Sequence, residues 1–321
     1  MLFRCETAWG STLMDRSKII SAASSGMLTQ VAARDVVVER RQRAQPHKGR
    51  IFAAIHAHSY EVPHYGAGLC AKLISEGYLG YIIRSSNDQL GGDRTIAENI
   101  LNNQQEHTKM AGGLAFKDVF DLYYRHSRMN GISSTDLRGR LVLLFRMLKV
   151  DTVITFNPWA PGEEDPDRWV TGRAAEEASA ISAAANEYPE FLEAGIMPHP
   201  VSERYYFYAR PGQPFNRVVD ISSHVEKKID AIVECKSQGG GNSGSLLRAG
   251  LAKQGRGLPL LGRDDRTADR EYVRRFLLED CRQYGKAYNL AYAERFYYID
   301  RRQQTKSKID EYVERNAVRL G

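Results

Sequence analysis

The sequence predicts an α/β fold: a Rossmann-like three-layer arrangement with a mainly parallel sheet, extended by C-terminal strand and helix additions. Three observations carry that expectation. Segments with strand character alternate with helical ones over residues 49–185, the pattern of a parallel sheet covered on both faces. The 321-residue chain, 42% hydrophobic and 26% charged, has an ordinary globular composition with material for one large domain or two modest ones. It contains no apolar run of about eighteen residues, which excludes a membrane-spanning helix.

The elements follow in order. RIFAAIHA, from residue 50, reads as a buried strand, GAGLCAKLISEGY as a helix ending at Gly77, and GYIIRSS as a second strand. The polar loop NDQLGGD has turn glycines, and TIAENILNNQQEHTKMAGGL is helical. KDVFDLYY is a short strand. SSTDLRGRLVLLFRMLKV opens on a Ser/Thr cap and places Leu137, Leu141, Leu144, Phe145 and Leu148 on one stripe. DTVITFNPW is the fourth strand, and a helical segment runs from Asp167 to about Ala185. Beyond it, ERYYFYAR and NRVVDIS read as strands that extend the sheet, and SSHVEKKIDAIVECKSQ as a capped helix. GGGNSGS, from Gly239, is expected to hold no single conformation unaided. Further helical stretches precede YAERFYYI, and KSKIDEYVERNAVRL reads as a mixed-charge helical tail. The expected organisation is a leader over residues 1–48, a body over 49–300 and a tail over 301–321.

Charge narrows the partners. The formal net charge is +6, but residues 1–50 hold nine Lys/Arg and four Asp/Glu, or +5, leaving about +1 for the rest. The body offers no broad basic face, so nucleic acid is not an expected partner. Cys5, Cys70, Cys235 and Cys281 are scattered without a CxxC pair, which fits neither a zinc ribbon nor a disulfide scaffold. After Met14, DRSK, the mildly apolar IISAASSGML and the small residues Val31 and Ala33 have the order of a weak secretory signal. The leader is thus either an export segment or a flexible cytoplasmic extension.

In parallel sheets, ligands sit beyond the carboxyl ends of the strands. That rule selects the loops at residues 56–64, 85–93 and 157–168. The first, in AIHAHSYEVPHYGAG, carries His56 and His58 two apart, so on a strand they would share a face and a metal. Alternatively His58 and Glu61 flank a turn, and a third ligand comes from a distant loop. An open three-ligand zinc site would polarise an amide carbonyl and activate water. A polar loop with incidental histidines is the plain alternative. His64, His107, His126, His199 and His224 are expected at the surface or hydrogen-bonded in the core. A nucleotide role lacks its motif, since GAGLCAKL has only Gly66 and Gly68 followed by Ala71.

Four stretches in order, IHAHSYEVPHYGAGLCAKLISEGY, DPDRWVTGRAAEEA, VVDISSHVEKKIDAIVECKSQ and YAERF, resemble the LmbE/PIG-L family. These are zinc-dependent hydrolases that remove acetyl groups from N-acetylated amino-sugar conjugates. The resemblance spans about residues 50–300. It implies a zinc cofactor, an amino-sugar conjugate as small-molecule partner, and a site in which His58 and Glu61 are metal ligands. It places Tyr60 where the catalytic base belongs, Asp165 at the acid position and Arg168 at the last zinc-ligand position. The family's substrate-holding R-x-x-E pair falls on Leu101 and Gln104 if no gap intervenes.

The site departs from the family where chemistry matters. Tyr60 is a poor base, with an ordinary pKa of about 10. A guanidinium has no lone pair for zinc and stays protonated. Arg168 is therefore expected to take the metal's place and pair with Glu61, Asp165 or Asp167. An irregular metal site using His58, Glu61 and either Asp165 or His56 stays open. Two functional classes result: a deacetylase with an altered metal site, or an inactive relative that keeps the pocket to bind a sugar conjugate or a protein.

Overall fold

The computed structural model describes residues 36–303 and 308–318. The expected signal segment and Cys5 lie outside them. Strands β1 (Val37–Glu39), β2 (Ile51–His56), β3 (Leu79–Ser86), β4 (Asp118–Tyr124), β5 (Thr152–Phe156), β6 (Glu203–Phe207), β7 (Arg217–Asp220) and β8 (Ala293–Asp300) form one mixed sheet. Their order is β1-β7-β8-β6-β5-β2-β3-β4. β3, β4, β5 and β6 join β2 through parallel pairings, whereas β8 runs antiparallel to both β6 and β7.

The helices that concern the site are α1 (Glu61–Tyr65), α2 (Ala67–Ser75), α3 (Ile96–Leu114), α4 (Ser134–Leu148) and α5 (Pro166–Ile181). They are followed by α6 (Pro189–Glu193), α7 (Val225–Glu234), α8 (Ser243–Ala252), α9 (Asp265–Tyr272), α10 (Glu279–Ala287) and α11 (Lys308–Asn316). None of these is long and apolar enough to cross a membrane.

Alternation along β2 explains why it is buried from Phe52 to His56. Phe52 and Ala54 pack with Leu69, Leu73, Met110 and Leu114 from α2 and α3. Ala53 and Ile55 enter a separate cluster with Leu137, Leu141 and Phe145 from α4 and Ala174 and Ala178 from α5. Successive side chains of a strand point to opposite faces, so a strand with helices on each side reads as continuously apolar.

Two details differ from the sequence reading. Val37–Glu39, within the stretch read as leader, pairs in register with Arg217–Val219 of β7. Glu39 is fastened there by the Lys72 ammonium at 2.7 Å and the Tyr205 hydroxyl at 2.9 Å. The glycine run at Gly239 is also fixed. The amides of Gly239 and Gly241 donate to the Cys235 carbonyl at 3.1 and 2.9 Å, and the His64 ring meets the Gly239 carbonyl at 2.9 Å. These neighbours supply the help that a glycine-rich segment lacks by itself.

Close packing positions α5, which bears Asp167 and Arg168. A Cβ added at Gly172 would lie 2.7 Å from the Phe156 carbonyl oxygen of β5, backbone that cannot turn aside. Gly172→Ala is therefore expected to destabilise the protein by about 1–3 kcal/mol through overpacking, read as a lower urea midpoint.

Candidate functional site

β3 and β5 flank β2 on opposite sides, so the chain changes direction across the sheet there, and the crevice beyond the strand ends is the expected ligand position. The loops after β2, β3, β4 and β5 deliver His58, Asp88, His126 and Asp165 to it.

Glu61, at the start of α1, is fully buried and turned back toward the strand. Its Oε2 accepts the Ala57 and His58 amides, each at 2.8 Å. Its Oε1 accepts Arg168 Nε at 2.7 Å. Burial pushes the Glu61 carboxyl up, while the charges of His58 and Arg168 oppose that rise. Arg168 Nη2 donates to the Tyr60 hydroxyl at 2.7 Å, and its guanidinium lies over Tyr60, Tyr65 and Phe156. Glu163 is 3.7 Å from Arg168 Nη1 and Asp165 3.6 Å from its Nε. Burial, then the Glu61 charge, pushes the Tyr60 phenol further up, away from any use as a base near neutral pH.

His58 anchors a second group of contacts. Nδ1 is 3.0 Å from Asp88 Oδ1 and 3.1 Å from Ser86 Oγ. Asp88 sits in the left-handed region, with φ 54°, and also accepts the Ser59 amide and Arg84 Nη1, each at 2.9 Å. Burial would raise its pKa, but hydrogen bonding and charge from His58, with Arg84, hold it far below the carboxylate range. Asp165 caps α5 by accepting the Asp167 amide through Oδ1. Partial burial raises its pKa, yet His58 and Arg168 bring it down to about 2. Asp167 is buried and accepts the Ser127 and Met129 amides at 2.6 and 3.2 Å.

The HxH pair does not converge. His56 turns to the His58 carbonyl through Nδ1 at 2.6 Å and to His107 Nε2 at 3.0 Å. Burial lowers its pKa to about 3, so it stays neutral and structural. On α3, Leu101 is 56% exposed, and Gln104 Nε2 donates to the Tyr123 hydroxyl at 3.1 Å. Asn103 and Glu106 face inward instead, two residues later with the same spacing. Asn103 Oδ1 accepts Ser59 Oγ and Gln238 Nε2 at 3.1 and 3.0 Å, and Glu106 holds the Ser237 amide at 2.9 Å. Leu101 and Gln104, the ungapped placement, therefore do not face the crevice, because two positions turn a helix by about 200° and reverse the face.

Sequence reasoning missed Asp88 and His126. The first lies in a loop that the strand-end rule had selected. His126 follows β4, with its ring centroid 4.1 Å from that of His58, and scanning the loop after every strand would have found it.

The residues at the positions implied by the resemblance do not fit a zinc ion. Glu61 already accepts two amides and a guanidinium, and Arg168 brings positive charge where a lone pair is required.

No known family's sequence pattern matches this chain, and no curated protein matches it. Solved structures do. An N,N'-diacetylchitobiose deacetylase from Pyrococcus horikoshii is similar over 95% of this chain and 100% of its own, with a TM-score of 0.63 at 19% identity. The conserved protein TT1542 from Thermus thermophilus is similar over 77% of this chain and 93% of its own, with TM-score 0.56 and 15% identity. GalB, the 4-carboxy-2-hydroxymuconate hydratase from Pseudomonas putida KT2440, is similar over 78% of this chain and 96% of its own, with TM-score 0.56 and 19% identity. The fold of this chain is that of the LmbE/PIG-L-type deacetylases.

Proposed function

We propose that this protein binds an N-acylated amino-sugar conjugate in the crevice around His58 and does not hydrolyse it by the zinc route of the family it resembles. The observation that carries this reading is the 2.7 Å contact between Arg168 Nε and Glu61 Oε1. A fixed cation neutralises the carboxylate that would otherwise ligate, and Tyr60 offers no base. The three-layer, Rossmann-like description of the fold belongs to the same reading, supported by the two apolar clusters that β2 supplies from its opposite faces.

The second reading is a deacetylase with an altered site. It is favoured by the similarity to the diacetylchitobiose deacetylase along the whole of that chain, though one fold supports several chemistries. Incubation with N,N'-diacetylchitobiose and N-acetylglucosamine conjugates separates the two. Binding by calorimetry without acetate release is the expected result. Acetate release that His58→Ala abolishes would establish the hydrolase instead.

A further inference from the structure

We propose that a cavity apart from the crevice, between the end of β6, the start of β8 and α10, binds a small organic acid through Arg295. Its volume is about 380 Å³, within the range that encloses a small ligand. Tyr65, Tyr208, Leu277, Asp280, Tyr284 and Arg295 are among the residues that line it, whereas His58, Asp88, His126 and Asp165 are not. The cavity is thus a site distinct from the crevice.

Arg295 is the buried cation of its wall, with the side chain 7% exposed. The guanidinium carbon lies over two rings, 3.5 Å from the centroid of Tyr208 and 3.1 Å from that of Tyr284. Rings this close cover the flat faces of a guanidinium and leave its edge, where the N–H groups are, for an acceptor. Nη1 is buried and has no hydrogen-bond partner among the described residues. Asp280, whose side chain is 81% exposed, stands 3.9 Å from Nη2, beyond hydrogen-bond reach. Burial pulls the Arg295 pKa down, and Tyr284, Tyr208 and Asp280 only partly offset that pull. A buried charge left this short of partners gains more from an incoming anion than an exposed one would.

The other ionisable groups on the wall are engaged or neutral. Arg210 holds Glu163 at 3.0 Å. Glu294 holds Lys228 at 2.8 Å and accepts the Gly68 and Leu69 amides. The His64 ring meets the Gly239 carbonyl, and burial lowers its pKa to about 4. Burial pushes the Cys281 thiol up to about 11. Neither of these two carries charge near neutral pH. Arg295 therefore selects the ligand, and a guanidinium edge matches the oxygens of a carboxylate or a phosphate alike. Tyr65 and Leu277 give the cavity ring and aliphatic surface for the rest of the molecule, so the acid carries an apolar body.

The test titrates the full chain by calorimetry with benzoate, phenyl phosphate, inorganic phosphate and the neutral benzyl alcohol. At least one of the two organic acids should bind saturably, and the tighter of them distinguishes carboxylate from phosphate. Benzyl alcohol should not bind, and inorganic phosphate should bind more weakly than phenyl phosphate. Arg295→Gln should weaken the bound acid by about 10–100-fold, the worth of a charge-assisted hydrogen bond. Asp280→Asn, an exposed change, should strengthen it by up to about fivefold, because a competitor for Arg295 is gone. Nitrogen NMR of the arginine side chains in the unaltered protein gives a further readout should Arg295→Gln fail to fold: the Arg295 resonances should shift as the acid saturates. No saturable binding of either organic acid up to about 10 mM, equal binding of benzyl alcohol, unchanged affinity in Arg295→Gln, weaker binding in Asp280→Asn, or Arg295 resonances unmoved at saturation would each overturn the site. Inorganic phosphate binding as tightly as both organic acids would overturn the organic ligand. No sugar and no acetate release enters this readout, so the cavity and the reading of the crevice stand or fall separately.

Discussion

Arg168→Met should lower the unfolding free energy by about 3–5 kcal/mol, because it leaves a fully buried carboxylate without its cation. Two backbone amides remain on Glu61 Oε2, which places the expected loss toward the lower end. The methionine stem still fills the space against Tyr65 and Phe156, so the change removes charge and hydrogen bonds more than volume. Adding Glu61→Gln in the same chain should recover part of the loss, since the neutral amide needs no cation. Urea unfolding of the two single variants and the double variant gives the coupling between the sites directly. A loss of less than about 1 kcal/mol, the range of a solvent-exposed pair, would show that water reaches Glu61 in place of Arg168.

Lys228→Met is expected to be as damaging. Lys228 is fully buried on α7 and donates to the Pro63 and His64 carbonyls at 3.0 and 2.6 Å and to Glu294 Oε1 at 2.8 Å. Glu294 in turn accepts the Gly68 and Leu69 amides at 2.9 and 2.8 Å, the first turn of α2. One ammonium therefore joins the end of α1, the start of α2, α7 and β8. Its removal leaves a buried carboxylate without its cation and takes a donor from two carbonyls, a cost of about 3–5 kcal/mol. Burial alone would lower the Lys228 pKa, but Glu294 raises it above the ordinary value. A lysine raised on folding contributes its stability fully below about pH 10 and loses it as pH climbs through the folded value. Unfolding at neutral and strongly alkaline pH should thus show the variant's deficit shrinking at the alkaline end. A deficit of the same size at both would assign the effect to packing.

Much of this architecture was legible in the chain, for a local reason. The alternation at Phe52, Ala53, Ala54 and Ile55 and the stripe at Leu137, Leu141 and Phe145 are short-range periodicities, and each face of β2 meets the helix its pattern requires. The identities of His58, Tyr60, Glu61 and Arg168 were equally plain, because a turn between a strand and a helix keeps its residues in order. What the sequence could not state was distance. Asp88 comes close to His58 only because β3 lies beside β2 and its loop adopts a left-handed residue. Asn103 replaces Leu101 as the inward residue because the register of α3 is set by packing of Met110 and Leu114, far along the helix.

The amino-acid order thus determined which chemical groups are present, and by writing arginine at position 168 it put a fixed cation beside Glu61. The tertiary structure alone decided which of those groups meet. Strand order across the sheet is a property of the whole chain, and it brings together loops that no local pattern relates.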